Sequence, residues 1–313
     1  MNPARKIRLA AAMLLAASAV SAAAAKPVAV LAACDESCLL GIAGDYMDSL
    51  SANDPAGAPL ATNVRSTENG QSLALGEGVW KTAHAWSYRH TFVDPVSGEI
   101  GFFGAVTEDG DKKSLLTGRL KVAVRKITES ELLVVRTGDS ALFNPAETEA
   151  RAAFGTVLPP ELRSTREQLK AAARNYFLGI IKSDPSITPF HPDCNRFENG
   201  LQTTNNPPMS GTSCAEGLKR LGYMQHYRSL RIPVVDTKRG LVFAVVAFDM
   251  PLLTRSFQVR GMTYEINPER QHLPRTLFLF ELFKVEGGKI RIIEAKMANK
   301  PLGTEMGWAG ESR

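Results

Sequence analysis

The chain has 313 residues, is 44% hydrophobic and 22% charged, and carries a formal charge of +5 at neutral pH. Its apolar content is sufficient for packed cores and excludes disorder as the default, and its length suits two ordinary domains. Removing Arg5, Lys6 and Arg8, which belong to an export signal, lowers the charge from +5 to +2, and no run of Lys and Arg remains to track phosphates, which argues against nucleic acid as a partner.

Residues 1–25 have the three parts of a secretory signal peptide: the positive start at Arg5, Lys6 and Arg8, the apolar run Leu9 to Val20, and small residues from Ser21 to Ala25. A permanent anchor is the alternative, but the run is short for a span of about 20 apolar residues, and Lys26 and Pro27 interrupt it. The mature protein is therefore expected in the periplasm or secreted, with no membrane attachment after cleavage. Leu31-Ala32-Ala33-Cys34 resembles a lipoprotein box, yet Lys26 and Pro27 separate it from the apolar run. Lipidation of Cys34 is the lesser reading.

Four cysteines follow: Cys34, Cys38, Cys194 and Cys214. An even number in an exported chain points to disulfides, and four allow three pairings. Local bonds, Cys34–Cys38 and Cys194–Cys214, keep each pair within one domain. A metal site is disfavoured because no second Cys or His cluster stands at zinc-like spacing.

The chain resembles itself. At an offset of 130, Tyr46 matches Tyr176, Asp54-Pro55 matches Asp184-Pro185, Pro59 matches Pro189, and Glu68-Asn69-Gly70 matches Glu198-Asn199-Gly200. Towards the ends the offset is 163, pairing Lys126-Ile127 with Lys289-Ile290 and Glu131 with Glu294. The second copy thus carries 163 − 130 = 33 extra residues, and a period this long signals domain duplication. The expected division is a signal peptide over 1–25, a first domain over 34–140, a linker over 141–163 and a second domain over 164–309.

Each copy opens with a helix, carried by Leu39, Ile42, Tyr46 and Leu50 in the first. The first copy continues with strands at Glu99 to Thr107, Leu115 to Val124 and Glu131 to Arg136, and Asn69-Gly70 is a hairpin dipeptide. Pro145, Pro159 and Pro160 mark the connector, in which Ala146 to Phe154 fits a short helix. In the second copy Ser164 and Glu167 fit a capping box. Leu169, Ala172, Ala173, Tyr176, Phe177, Ile180 and Ile181 then form one apolar face. Asp-Pro ends both helices. Strands follow at Gly240 to Asp249, Phe257 to Ile266, Arg275 to Val285 and Lys289 to Met297, the last pair joined at Gly287-Gly288. Helices followed by an antiparallel meander predict an α+β domain with helices on one face of a curved sheet.

These features resemble the nuclear transport factor two-like, or SnoaL-like, cone. The second copy is similar to a domain of unknown function in exported proteins, through HPDCNRFENGLQTT (His191 to Thr204), RIPVVDTKRGLVFAVVAFDMP (Arg231 to Pro251) and ELFKVEGGKIRIIEAKMANKPLGTEMGW (Glu281 to Trp308). Thr67 to Ala83, TENGQSLALGEGVWKTA, is similar to the amino-terminal half of the same tandem proteins. The resemblance implies two tandem cystatin-like/SnoaL-like cones, each a curved antiparallel sheet with helices on one face. It implies an apolar pocket for a small organic ligand, and isomerase, dehydratase or lyase chemistry with no cofactor, or else a non-catalytic binding or interaction module. Catalytic patterns of the superfamily do not transfer residue by residue, so the analogy is one of fold.

Several residues could carry such chemistry. Glu198, in an apolar cone, would have its pKa raised and serve as acid or base; its recurrence at Glu68 fits a turn glutamate as well. His191 and Asp193, two apart on a strand, face one side, where the acid would fix the imidazole tautomer; a polar loop before Cys194 is the plainer account. Arg196 and Gln202 flank the turn and would orient a carbonyl or carboxylate, unless Arg196 pairs with Glu198. Glu281 stands in an apolar strand and is either a pocket group or the partner of Arg291. Trp80, Trp86 and Tyr88 read as core or interface aromatics, and His84 and His90 as structural. Gly76-Glu77-Gly78 lacks phosphate-loop spacing, and no Gly-x-Ser-x-Gly elbow occurs.

Overall fold

The computed structural model describes residues 34–310 except Thr148, Arg260, Arg270 and His272. The signal expected over 1–25 lies outside the described residues. No helix among the described residues is long and apolar enough to cross a membrane.

Helix α1 (Glu36–Ser51) begins at Asp35, whose carboxylate accepts the Cys38 N–H, and the Cys34–Cys38 disulfide closes the same turn. Cys34 is therefore already bonded through sulfur. Leu39, Ile42, Tyr46 and Leu50 lie buried on one face at helical spacing. Asp54 then caps a 3₁₀ turn at Pro55–Gly57, its carboxylate accepting the Ala56 N–H. The first sheet comprises β1 (Leu60–Glu68), β2 (Gln71–Ser72), β3 (Ala83–Asp94), β4 (Glu99–Glu108), β5 (Lys112–Ala123) and β6 (Lys126–Val135), with the short helix α2 (Val79–Thr82) before β3.

After α3 (Ala152–Gly155) the plan repeats. Helix α4 (Arg166–Lys182) is followed by a 3₁₀ turn capped by Asp184, then β7 (Phe190–Glu198), β8 (Leu201–Gln202), α5 (Cys214–Lys219), β9 (His226–Asp236) and β10 (Leu241–Met250). A separate hairpin, β11 (Ser256–Val259) and β12 (Met262–Glu265), precedes β13 (Arg275–Glu286) and β14 (Lys289–Lys300). The strand orders, β2-β1-β6-β5-β4-β3 and β8-β7-β14-β13-β10-β9, are the same topology twice.

The fold class is the expected one, two α+β cones in tandem, with four differences in detail. Both sheets are mixed, because β1 pairs parallel with β6 and β7 with β14; a parallel pair needs a long crossover, and the intervening meander supplies it. Each sheet carries a further edge strand, β3 or β9, whose His, Arg and Ser residues mask any apolar alternation in the sequence. The stretch Phe257 to Ile266 is a hairpin rather than one strand, because Gly261 has φ +80° and turns it. The capping box of α4 is Thr165 with Gln168, one residue later than Ser164 with Glu167.

The turns at Asn69-Gly70 and Asn199-Gly200 have positive φ at both residues, the geometry of a two-residue hairpin. Their asparagines also replace strand pairing where the chain turns away. Asn69 Oδ1 accepts the Val134 N–H, and Asn199 Oδ1 accepts the Met297 N–H while its amide donates to Leu142 and Met297 carbonyls.

Strand alternation sorts the cores into layers. Along β10, Val242, Ala244, Val246 and Phe248 pack with α4, whereas Leu241, Phe243, Val245 and Ala247 pack against the first sheet. The order is α1, first sheet, second sheet, α4. Burying an apolar side chain of this size stabilises by about 1.5–3 kcal/mol, and β4, β5, β6, β10, β13 and β14 each contribute to two cores. The matched glutamates Glu131 and Glu294 both lie between the sheets. Glu131 pairs with Arg119 at 3.1 Å and with Arg231 of the other half at 2.7 Å; Glu294 pairs with Lys296 at 2.9 Å and Arg151 at 3.0 Å.

Candidate functional site

The 33-residue excess resolves into two insertions. Residues 203–225 connect β8 to β9 where 73–82 suffice in the first half, and 251–274 connect β10 to β13 where 109–111 suffice. Both insertions reach the same cavity, of about 670 Å³, on the helix side of the second sheet. Arg220, Leu221, Tyr223 and Met224 come from the first; Phe257, Tyr264, Glu265, Asn267 and Gln271 come from the second. The sheet supplies Arg196, Glu198, Arg275, Leu277, Leu279, Met297 and Asn299, and α4 supplies Ile180. The Cys194–Cys214 disulfide ties the first insertion to β7.

Alternation on β13 aims Arg275, Leu277, Leu279, Glu281 and Phe283 at one face. Glu281 lies beyond Leu279 towards α4, fully buried, and its Oε1 accepts from the Tyr176 hydroxyl at 3.3 Å. Its Oε2 has no hydrogen-bond partner. Burial pushes its pKa up to about 7; the Arg196 charge and the Tyr176 hydrogen bond oppose that rise and Glu198 adds to it. Tyr176 is itself raised well above the usual phenol value, chiefly by burial, so it acts as a donor.

The same place in the first half is closed. Gly118 corresponds to Glu281, and a Cβ there would stand 2.6 Å from the Phe102 ring and 2.7 Å from Leu132. Phe102 and Leu132 correspond to Ala244 and Ala295, the register neighbours of Glu281. Small neighbours make room for the carboxylate in one sheet; large ones fill the gap over a glycine in the other. Trp80 further packs edge-on against Tyr46, centroids 5.1 Å apart, and Glu68 accepts the Val79 N–H at 2.8 Å, fastening α2 over the first cone.

Of the candidates, Arg196, Glu198 and Glu281 converge. Arg196 and Glu198 form an ion pair of 2.6 Å at the cavity wall, so the alternative of a strand-face pair is met within the site. Arg291 pairs with Asp193 and Glu286 and is not a partner of Glu281. His191 and Asp193 do not line the cavity. They are odd-numbered on β7 and point away from the face that carries Cys194, Arg196 and Glu198; Asp193 is 70% exposed and 3.8 Å from His191. Gln202 also turns aside, donating to the Thr204 carbonyl at 2.9 Å and to Asn195 at 3.3 Å to brace the turn. Tyr176 and Arg275 were missed as site residues. The available signal was parity: Arg275 is two, four and six residues from Leu277, Leu279 and Glu281.

Residues 162–297 match the model of a Domain of unknown function (DUF8021). No curated protein matches the chain. Among solved structures, the chain is similar to a protein of unknown function with a cystatin-like fold from Methylobium petroleophilum, at 14% identity and TM-score 0.30, over 45% of this chain and 82% of that one. It is also similar to AclR, a candidate hydroxylase from Streptomyces galilaeus (13% identity, TM-score 0.29, 44% and 83% covered). A third is a candidate polyketide cyclase from Xanthomonas campestris pv. campestris (17% identity, TM-score 0.28, 42% and 92% covered). Each aligns with a little under half of this chain.

Proposed function

We propose that the second half is a small-molecule site in which Glu281 transfers a proton, giving isomerase, dehydratase or lyase chemistry. The observation that carries this reading is a fully buried carboxyl group, unpaired at Oε2, with a pKa pushed up to about 7, on the same face of β13 as Leu277 and Leu279 of the cavity wall. A group titrating near neutral pH can both accept and return a proton. Glu198 is less suited, because its carboxylate is engaged by Arg196. The roles divide accordingly: Glu281 takes a proton from an acidic C–H of the ligand and returns it to a neighbouring atom. Tyr176 orients the carboxyl through Oε1, and the Arg196–Glu198 pair polarises the wall beside it. The first half, with its cone filled, serves as a scaffold.

The test begins with a thermal-shift screen of small organic acids, ketones and alcohols. With a binder in hand, Glu281→Gln keeps shape and removes titration; turnover should fall about 10²–10⁴-fold while binding persists. Unchanged turnover per folded molecule removes Glu281 from catalysis. Binding without turnover in the wild type favours the alternative, a non-catalytic binding module.

Two disulfides are consistent with an exported protein. We propose export through the signal at 1–25, and sequencing of periplasmic or secreted material should find a first residue between Ala23 and Lys26.

A further inference from the structure

The cavity charges do not balance. Arg196 is neutralised by Glu198, and Glu281 is pushed towards its uncharged form by burial. Arg220 and Glu265, one cation and one anion, also line the cavity and are both exposed. Arg275 is left over. Its Nε is buried without a hydrogen-bond partner, and no carboxylate among the described residues pairs with it. Burial accordingly lowers its pKa, against distant help from Tyr223 and Glu198. A guanidinium removed from water without an anion is costly. Its fork is matched to a planar carboxylate.

The remaining surfaces define the rest of the occupant. Phe257 and Tyr264 stack with centroids 5.4 Å apart and planes within 11°, and both line the cavity from the inserted hairpin. Leu277, Leu279 and Met297 face them from the sheet. Arg275 and Glu281 are six residues apart on one extended strand, about 20 Å of backbone. An anion held at Arg275 and an atom reacting at Glu281 therefore belong to opposite ends of an elongated molecule.

We propose that this pocket takes an elongated, ring-bearing organic acid, with its carboxylate on Arg275, its apolar body between the Phe257–Tyr264 hairpin and β13, and its far end directed along β13 past Leu279 towards Glu281. The inference rests on the reading of the cavity as a small-molecule site and adds the charge and shape of the ligand. Arg275 then sets specificity while remaining distant from the proton transfer.

The test uses two fluorescent probes with one ring skeleton, 8-anilinonaphthalene-1-sulfonate and its uncharged parent N-phenyl-1-naphthylamine, with displacement by 2-naphthoate and 2-naphthamide. The wild type should bind the anionic probe more tightly and release it to 2-naphthoate more readily than to the amide. Arg275→Gln should weaken the anion about tenfold or more and leave the neutral probe within about twofold, while Arg275→Lys should retain much of the preference. Leu279→Trp, which fills the cavity, should abolish both. Unfolding transitions recorded for each variant separate lost binding from lost structure. Equal affinity of folded Arg275→Gln and wild type for the anion, or equal losses for both probes, overturns the organic-acid inference and leaves the site reading intact. Binding of both probes undiminished in folded Leu279→Trp overturns the site reading itself.

Discussion

Glu281 and Gly118 occupy equivalent positions in the two sheets, and their neighbours differ in the opposite sense: Ala244 and Ala295 beside the glutamate, Phe102 and Leu132 beside the glycine. One exchange of volume separates a cone with a buried acid from a cone with a solid core.

Stability should depend on the protonation of Glu281. Its folded pKa of about 7 lies above the ordinary carboxyl value, so the neutral form favours folding. That contribution is complete below pH about 4.5, declines as pH rises towards about 7, and is absent above it. The expected loss is about 3 kcal/mol. Glu281→Gln should therefore be more stable than wild type at pH 8 and show little gain at pH 4.5, as read from urea unfolding. An identical difference at both pH values would mean that the Glu281 pKa is the same in the folded and unfolded protein.

Gly118→Ala should destabilise the first half. The new methyl group meets the Phe102 ring at 2.6 Å and Leu132 at 2.7 Å, and overpacking of this kind costs about 1–3 kcal/mol. Adding Leu132→Ala should recover part of the loss through coupling of the two sites. Simple additivity in the thermal midpoints would show that the two side chains do not compete for space.

Asp94 and Arg166 join the halves. Arg166 donates to Asp94 Oδ1 at 3.0 Å and to Oδ2, and the Val235 N–H donates to Oδ2 at 3.1 Å. Burial resists ionisation of Asp94, but the Arg166 hydrogen bonds, aided by Ser97 and Val235, outweigh it and hold the carboxyl below its usual value. The stabilisation is present above the unfolded aspartate pKa of about 3.9 and disappears as pH falls through the lower folded value. Asp94→Asn should cost about 3 kcal/mol at pH 7, and its deficit relative to wild type should shrink below pH 4. A deficit that is constant from pH 7 to pH 3 in denaturant titrations would refute the assignment.

Cys194 and Cys214 enclose a separation of 20 residues. By loop entropy their bond contributes about 3 kcal/mol, and it anchors an insertion that lines the cavity. The paired Cys194→Ala, Cys214→Ala variant should lose that stability and bind 8-anilinonaphthalene-1-sulfonate more weakly. Non-reducing digestion of wild-type protein should yield the joined peptides; free thiols at both positions in protein from an oxidising compartment would contradict the bond.

The sequence by itself determined the duplication, the two opening helices, their Asp-Pro ends and the Asn-Gly hairpins, and favoured the local disulfides among three pairings, because each depends on residues close together in the chain. The 33-residue excess and the apolar setting of Glu281 were legible for the same reason. Only the tertiary structure decided that the excess divides into two insertions around one cavity, that β1 and β7 join their sheets in parallel, and that β3 and β9 form the edges opposite β2 and β8. It also decided which polar groups meet. Strand parity turned His191 and Asp193 away from Arg196 and Glu198, while sheet register set Glu281 between two alanines and under Tyr176, a hydroxyl 105 positions away in the chain. Register and burial are sums over distant partners, and no short stretch of sequence contains them.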